Sequence, residues 1–166
     1  MRERQAVQQR RRAREFEAFV AGAAGRLLHA ATLLTAEPPS DNARAQRLLT
    51  AALSRTYADW DRLRGEDPYD RTRQELATRF ARGAWRYHRV FVRRWRVVGG
   101  GVLERLTPQE RLILVLRLYE GVAEEQAAAQ IGLPAERVRA ICSRAIATMR
   151  SKPPAQAAPF PEAVTP

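Results

Sequence analysis

Lysine is almost missing from this chain, and cysteine and histidine are scarce. Lys152 is the single lysine among 29 basic residues, Cys142 is the single cysteine, and His29 and His88 stand far apart. One cysteine excludes an intramolecular disulfide and a thiolate metal cluster, and two isolated histidines leave no zinc-ligand spacing. No nucleophile–base pair, metal-ligand set or glycine-rich phosphate loop after a strand is present, so the sequence argues against an enzyme and implies no cofactor and no small-molecule substrate. No apolar run reads as long enough to span a bilayer, and the basic N-terminus is not followed by a signal-peptide core and cleavage site. The expectation is a soluble cytoplasmic protein with no membrane partner. Alternating strand patterns are also missing, which points to an all-α fold.

Acidic residues are absent between Leu76 and Leu103, and arginine takes their place. The formal net charge is +11 and the pI near 11.3, values that suit a nucleic acid or an anionic surface. A GC-rich genome would account for arginine over lysine, but not for its clustering. Read as a helix, Phe80, Ala84, Tyr87, Phe91 and Trp95 share one face, while Arg82, Arg86, Arg89, Arg93 and Arg96 recur half a turn away. One face can dock on a core while the other presents guanidinium groups to a polyanion. Trp85 lies off the apolar stripe and is the candidate for stacking on an unpaired base. The plainer alternative makes Trp60, Trp85 and Trp95 core anchors and the arginine row a solvated face. A membrane surface is a further alternative partner for that row.

Along the chain, residues 1–14 form a basic arm, either disordered or continuous with the first helix. From Phe16 an apolar helical pattern runs through Phe19, Val20, Leu27, Leu28, Ala31 and Leu34, then breaks at residues 37–42, where Ser40 or Asp41 could cap a second helix. That helix carries Leu48, Leu49, Ala52, Leu53, Tyr57 and Trp60 and fades at Gly65. Asp67-Pro68 opens a third helical region that reaches Gly99-Gly100-Gly101, with Gly83 as a kink or break. Thr107-Pro108-Gln109-Glu110 is a capping box with proline at the first helical position, and its helix continues to Tyr119. A short helix over 124–131, a turn at Gly132-Leu133-Pro134 and a last helix over 135–150 make a helix-turn-helix pattern. In such a unit Glu136, Arg137, Arg139 and Ala140 are placed for base edges and Arg144 and Arg150 for phosphates. Residues 152–166, rich in proline and alanine, read as a disordered tail.

The stretch from Leu106 to Arg150 resembles region 4 of bacterial sigma-70 family factors, in the small extracytoplasmic-function (ECF) group. Pro108, Arg111, Leu116, Arg117, Tyr119, Glu120, Gly132, Val138, Ser143, Arg144 and Ala145 carry the resemblance. The stretches 16–37 and 48–68 resemble the opening of region 2 and its second helix and turn. The resemblance implies a region-2-like helical domain (15–97), a short glycine linker (98–105) and a region-4-like helix-turn-helix domain (106–151). It also implies two partners, promoter DNA and RNA polymerase core, with segment 79–96 at the −10 DNA and the helix-turn-helix at the −35 element.

Three departures qualify this. The second helix of the family carries an acidic, glutamine-bearing polymerase-contact face, whereas Arg47, Thr50 and Ala51 stand here. Ile141 replaces an arginine of the recognition helix and Ala123 a capping serine or threonine, the latter typically costing about 1 kcal/mol. The roughly eleven residues between Trp95 and the capping box reach about 35–40 Å fully extended, which strains simultaneous reading of both elements. The alternative function is therefore a degenerate sigma-like regulator that binds DNA, or a protein partner such as an anti-sigma factor, without supporting initiation.

Overall fold

The computed structural model describes residues 2–63, 65–88 and 101–151. Six α-helices occupy them: α1 (Arg2–Thr35), α2 (Ala43–Ala58), α3 (Pro68–His88), α4 (Pro108–Leu114), α5 (Glu124–Ile131) and α6 (Ala135–Arg150). Short 3-10 turns cover Trp60–Arg62 and Val102–Arg105, and one π-helical turn, Val115–Tyr119, prolongs α4. No strand occurs among the described residues.

The basic arm is the N-terminal part of α1, so of the two alternatives the helical one holds. Farther along, Ala23, Leu27, Ala30, Ala31 and Leu34 are buried at the three- and four-residue steps of one helical face. One expectation is corrected here. The C-terminal half of α1 is long and apolar enough, by composition alone, to cross a membrane, because its alanines and leucines are interrupted by a single charge, Arg26. Its apolar face is nevertheless the one packed into the protein core.

The start of α2 is a second correction. Neither Ser40 nor Asp41 caps it. Asn42 holds the cap position without a side-chain cap bond, and the Glu37 carboxylate instead accepts from the backbone N–H groups of Arg44 (3.1 Å) and Ala45 (2.8 Å). A carboxylate there satisfies two helix-end donors and complements the helix dipole. The helix ends at Ala58, earlier than its apolar pattern suggests, so Trp60 sits in the following turn and packs on Phe16 and Phe19. Trp60 is thus a half-buried anchor outside the main core. Tyr57 is partly exposed rather than core. Asp67 accepts from the Tyr69 N–H as α3 begins, and α3 passes through Gly83 without a break. Between α2 and α3, the buried hydroxyls of Thr56 and Thr72 bond each other at 2.9 Å.

The glycine linker was expected to separate two domains, yet one core spans both halves. Leu112, Val115, Leu116, Val122 and Ala127 pack with the buried residues of α1, α2 and α3. Ile113 and Leu114 point the other way, Ile113 toward Val138 and Ile141 and Leu114 toward Ala145. The run Leu112–Leu116 is thus apolar on all sides because it is covered on all sides.

A buried charge sets the position of α4. Arg111 is 3% exposed. Its guanidinium donates to the Leu34 carbonyl at the end of α1 (2.9 Å) and to the carbonyls of Leu103 (3.3 Å) and Leu106 (3.1 Å). Burial first, then the charge of Arg44, pull its pKa down to about 10, so it remains a cation at neutral pH. Removing it would leave the Leu34 and Leu106 carbonyls without their donors inside the protein, at about 1–3 kcal/mol for each group. Arg111→Ala is therefore expected to lower the unfolding free energy by about 3 kcal/mol or more in urea titration. A loss below about 1 kcal/mol would contradict this role.

Candidate nucleic-acid interface

The helix-turn-helix unit is built by local chemistry. Thr107 and Glu110 form the capping box: the Thr107 hydroxyl accepts from the Glu110 N–H (3.2 Å), and the Glu110 carboxylate accepts from the Thr107 N–H (2.8 Å). Helix α5 begins at Ala123 with no side-chain cap bond, as the missing serine or threonine implies. It ends at Gly132, whose φ of 70° lies in the left-handed region that glycine adopts without strain. The Leu133 N–H then closes on the Ala128 carbonyl at 3.1 Å, and extended Pro134 launches α6.

Helix α6 divides cleanly. Val138, Ile141 and Ala145 are buried against α4 and α5. Glu136, Arg137, Arg139, Ala140 and Arg144 are exposed, as is Arg150 at the C-terminal end. The placement of Ile141 changes the meaning of one departure. Its position faces the core, at 5% exposure, so isoleucine there adds packing to α6 and takes nothing from the exposed face.

The exposed arginines are not equivalent. Arg139 is held by Glu124 at the start of α5, with Nη2 at 2.7 Å and Nε at 3.2 Å. The hydrogen bond with Glu124, and then its charge, raise the Arg139 pKa. Neither Arg137 nor Arg144 has a side-chain ion pair among the described residues. With Arg150 at the end of the helix, they are the exposed cations of α6 that no ion pair holds among the described residues. At the far end of the helix, Arg105 grips Ser151 through its carbonyl (2.8 Å) and hydroxyl (2.7 Å).

The other candidate positions fall on separate elements. Arg47 and Thr50 are exposed on α2 and Ala51 is half-buried. The Thr50 hydroxyl is turned back onto the Gln46 carbonyl at 2.9 Å. Arg82 is exposed on α3, at the rim of a cleft of about 340 Å³ that Phe80, Ala84, Pro108 and Leu112 help to line. The side chains of Trp85 and Arg86, and Arg89, Arg93 and Arg96 entirely, lie outside the described residues, as does the tail 152–166. No cluster of three or more metal-binding side chains occurs among the described residues.

A second polar contact between the halves has no counterpart in the sequence reading. The Tyr69 hydroxyl, on α3, donates to both oxygens of Glu120 (3.0 and 2.9 Å), and Arg26 of α1 approaches the same carboxylate at 3.6 Å. Burial, with the bond to Glu120 next, raises the Tyr69 hydroxyl well above the ordinary tyrosine range. Glu120 matched the family pattern, but nothing in its spacing from Tyr69 and Arg26 brings the three together. Only the fold does.

Comparison with known proteins agrees with this geometry. The family described as Sigma-70, region 4 matches residues 102–151. Two curated relatives are each 27% identical over 155 residues, covering 83% of this chain. Both are named RNA polymerase sigma-E factor, one from Streptomyces coelicolor (85% of its length covered) and one from Streptomyces avermitilis (84%). No solved structure matches.

The Glu124–Arg139 pair yields a test of the interface. Glu124→Gln removes a negative charge beside α6 and frees Arg139 to meet an incoming polyanion. Duplex DNA binding, measured by fluorescence anisotropy, is expected to tighten severalfold, with a steeper salt dependence by about one counterion. Unchanged or weaker binding would show that Arg139 does not face the anion.

Proposed function

We infer that this chain, a divergent member of the sigma-70 family in its extracytoplasmic-function group, is a transcription factor that directs RNA polymerase core to promoters. The observation that carries this reading is α6, with its apolar face locked to α4 and α5 and its polar face open. Glu136, Arg137, Arg139 and Ala140 are the proposed base-reading positions, and Arg144 a phosphate contact that fixes register. Arginine at such a position suits bidentate contact with guanine.

The reading divides the labour between two units that share one core. Residues 106–151 would read upstream promoter DNA. Residues 15–97 would meet the polymerase and the −10 DNA, the latter through Arg82, Trp85, Arg86, Arg89, Arg93 and Arg96. Arg47, Thr50 and Ala51 would form the polymerase-facing surface in place of acidic residues. A factor of this kind works beside the chromosome, so the cytoplasm is its compartment. An anti-sigma factor is the further protein partner that the family suggests. The reversed charge at Arg47 favours one competing reading, a DNA-binding regulator that no longer supports initiation.

Reconstituted transcription separates the two. Purified core plus this protein is expected to give promoter-specific transcripts. Arg137→Ala is expected to reduce discrimination between cognate and mismatched promoters by about ten- to a hundredfold, the size of a 1–3 kcal/mol base contact. DNA binding without transcripts on any genomic fragment, alongside an active sigma control, would establish the regulator instead.

A further inference from the structure

The basic arm at the start of α1 is not used by either unit of the proposed function. Residues 2–14 hold six arginines and one glutamate, all on helical backbone. At about 100° per residue, Arg4, Arg10, Arg11 and Arg14 fall within an arc of about 120°. The stripe of Ala23, Leu27 and Leu34 that enters the core, with half-buried Phe16 in line with it, lies on the opposite side of the helix. The arm is rooted by Arg12, which lies on the core side. Its guanidinium sits 4.4 Å from the centre of the Tyr57 ring, pairs with Asp61 at 3.1 Å and donates to the Tyr57 carbonyl. Phe16 adds ring contacts to Tyr57 and Trp60. The root is thus fixed and the arginine arc faces away from it.

That arc is electrostatically incomplete. Arg11 pairs with Glu15 at 2.7 Å, but Arg4, Arg10 and Arg14 are exposed and have no ion pair among the described residues. Arg10 and Arg14 are like charges one turn apart, a destabilising spacing on a helix. A multiply charged anion laid along the arc would remove that repulsion. From Arg4 to Arg14 the helix rises about 15 Å, and duplex DNA carries one charge per roughly 1.7 Å of axis, so several phosphates come within reach together. A membrane surface fits poorly. Residues 2–15 contain no Trp, Phe or Leu with which to enter the acyl region.

We propose that the N-terminal turns of α1 form a second, sequence-independent nucleic-acid contact in which Arg4, Arg10 and Arg14 grip the phosphate backbone of DNA. The contact does not depend on promoter reading by α6. It holds the chain on duplex DNA whatever the sequence, and it adds to affinity without adding to specificity.

The test compares the full chain with R4Q/R10Q/R14Q and with R4K/R10K/R14K, using anisotropy on a 30-base-pair duplex across a salt series. Glutamine and lysine both favour helix, and circular dichroism checks that α1 is kept. The glutamine variant is expected to bind at least tenfold more weakly at low salt. Its plot of log affinity against log salt should flatten by about two to three units, equally on promoter and random duplexes. The lysine variant should keep most of the slope. An unchanged slope in the glutamine variant would overturn the proposal. So would wild-type binding to phosphatidylserine vesicles that the glutamine variant loses while duplex binding stays intact. Arg137→Ala provides the separating control. It should reduce sequence preference by about ten- to a hundredfold while leaving the arm's share of the salt slope, so failure of promoter reading is not mistaken for failure of the arm.

Discussion

One buried guanidinium joins the two ends of this fold. Arg111 reaches from α4 to the last turn of α1 and to the turn before the capping box. It satisfies carbonyls that would otherwise face apolar side chains. A charge taken out of water is costly, and these bonds through Nε and Nη1 offset part of that cost, while Nη2 is buried without a partner among the described residues. The arrangement therefore holds only while α1, the Val102–Arg105 turn and α4 keep these positions. Glu120, on the other side of the same π-helical extension, works in the same manner through Tyr69 and Arg26. The π-helical turn itself sets that geometry: the Glu120 N–H closes on the Val115 carbonyl, five residues back, while Leu118 is left 63% exposed.

This constraint bears on the proposed function through α4. The same helix that enters the core of the N-terminal half also carries α6, so α6 is oriented by the whole protein. In this arrangement the cleft between Phe80, Ala84, Pro108 and Leu112 places the C-terminal part of α3 beside the start of α4. Reading two well-separated promoter elements at once would part the halves. That would uncover Leu112, Val115 and Leu116 and break the contacts of Arg111 and Glu120.

Much of this was legible in the sequence, and the exceptions share a cause. The capping box, the limits of α5 and α6 and the glycine between them follow from local chemistry that neighbours do not alter. The exposed positions of α6 follow from its period. The cap of α2 was missed because Glu37 acts from seven and eight residues away, beyond the spacing of any local cap pattern. Trp60 was placed on α2 because its spacing fits the stripe, whereas tertiary packing on Phe16 ended the helix first. The shared core was also unforeseen, though the run Leu112–Leu116 carries its trace. Five consecutive apolar residues on a helix have no face to give to water, which means two neighbours rather than one.

Both halves form one cooperative unit fixed through α4, with α6 held on it. The chain supplies its own two probes. All three tryptophans lie in the N-terminal half, while Cys142, whose thiol is pushed up by burial, lies on α6. Urea unfolding followed by tryptophan fluorescence and by Cys142 thiol labelling should give one coincident transition. Two separated transitions in the wild-type protein, with Cys142 labelled before the tryptophan signal changes, would contradict the account.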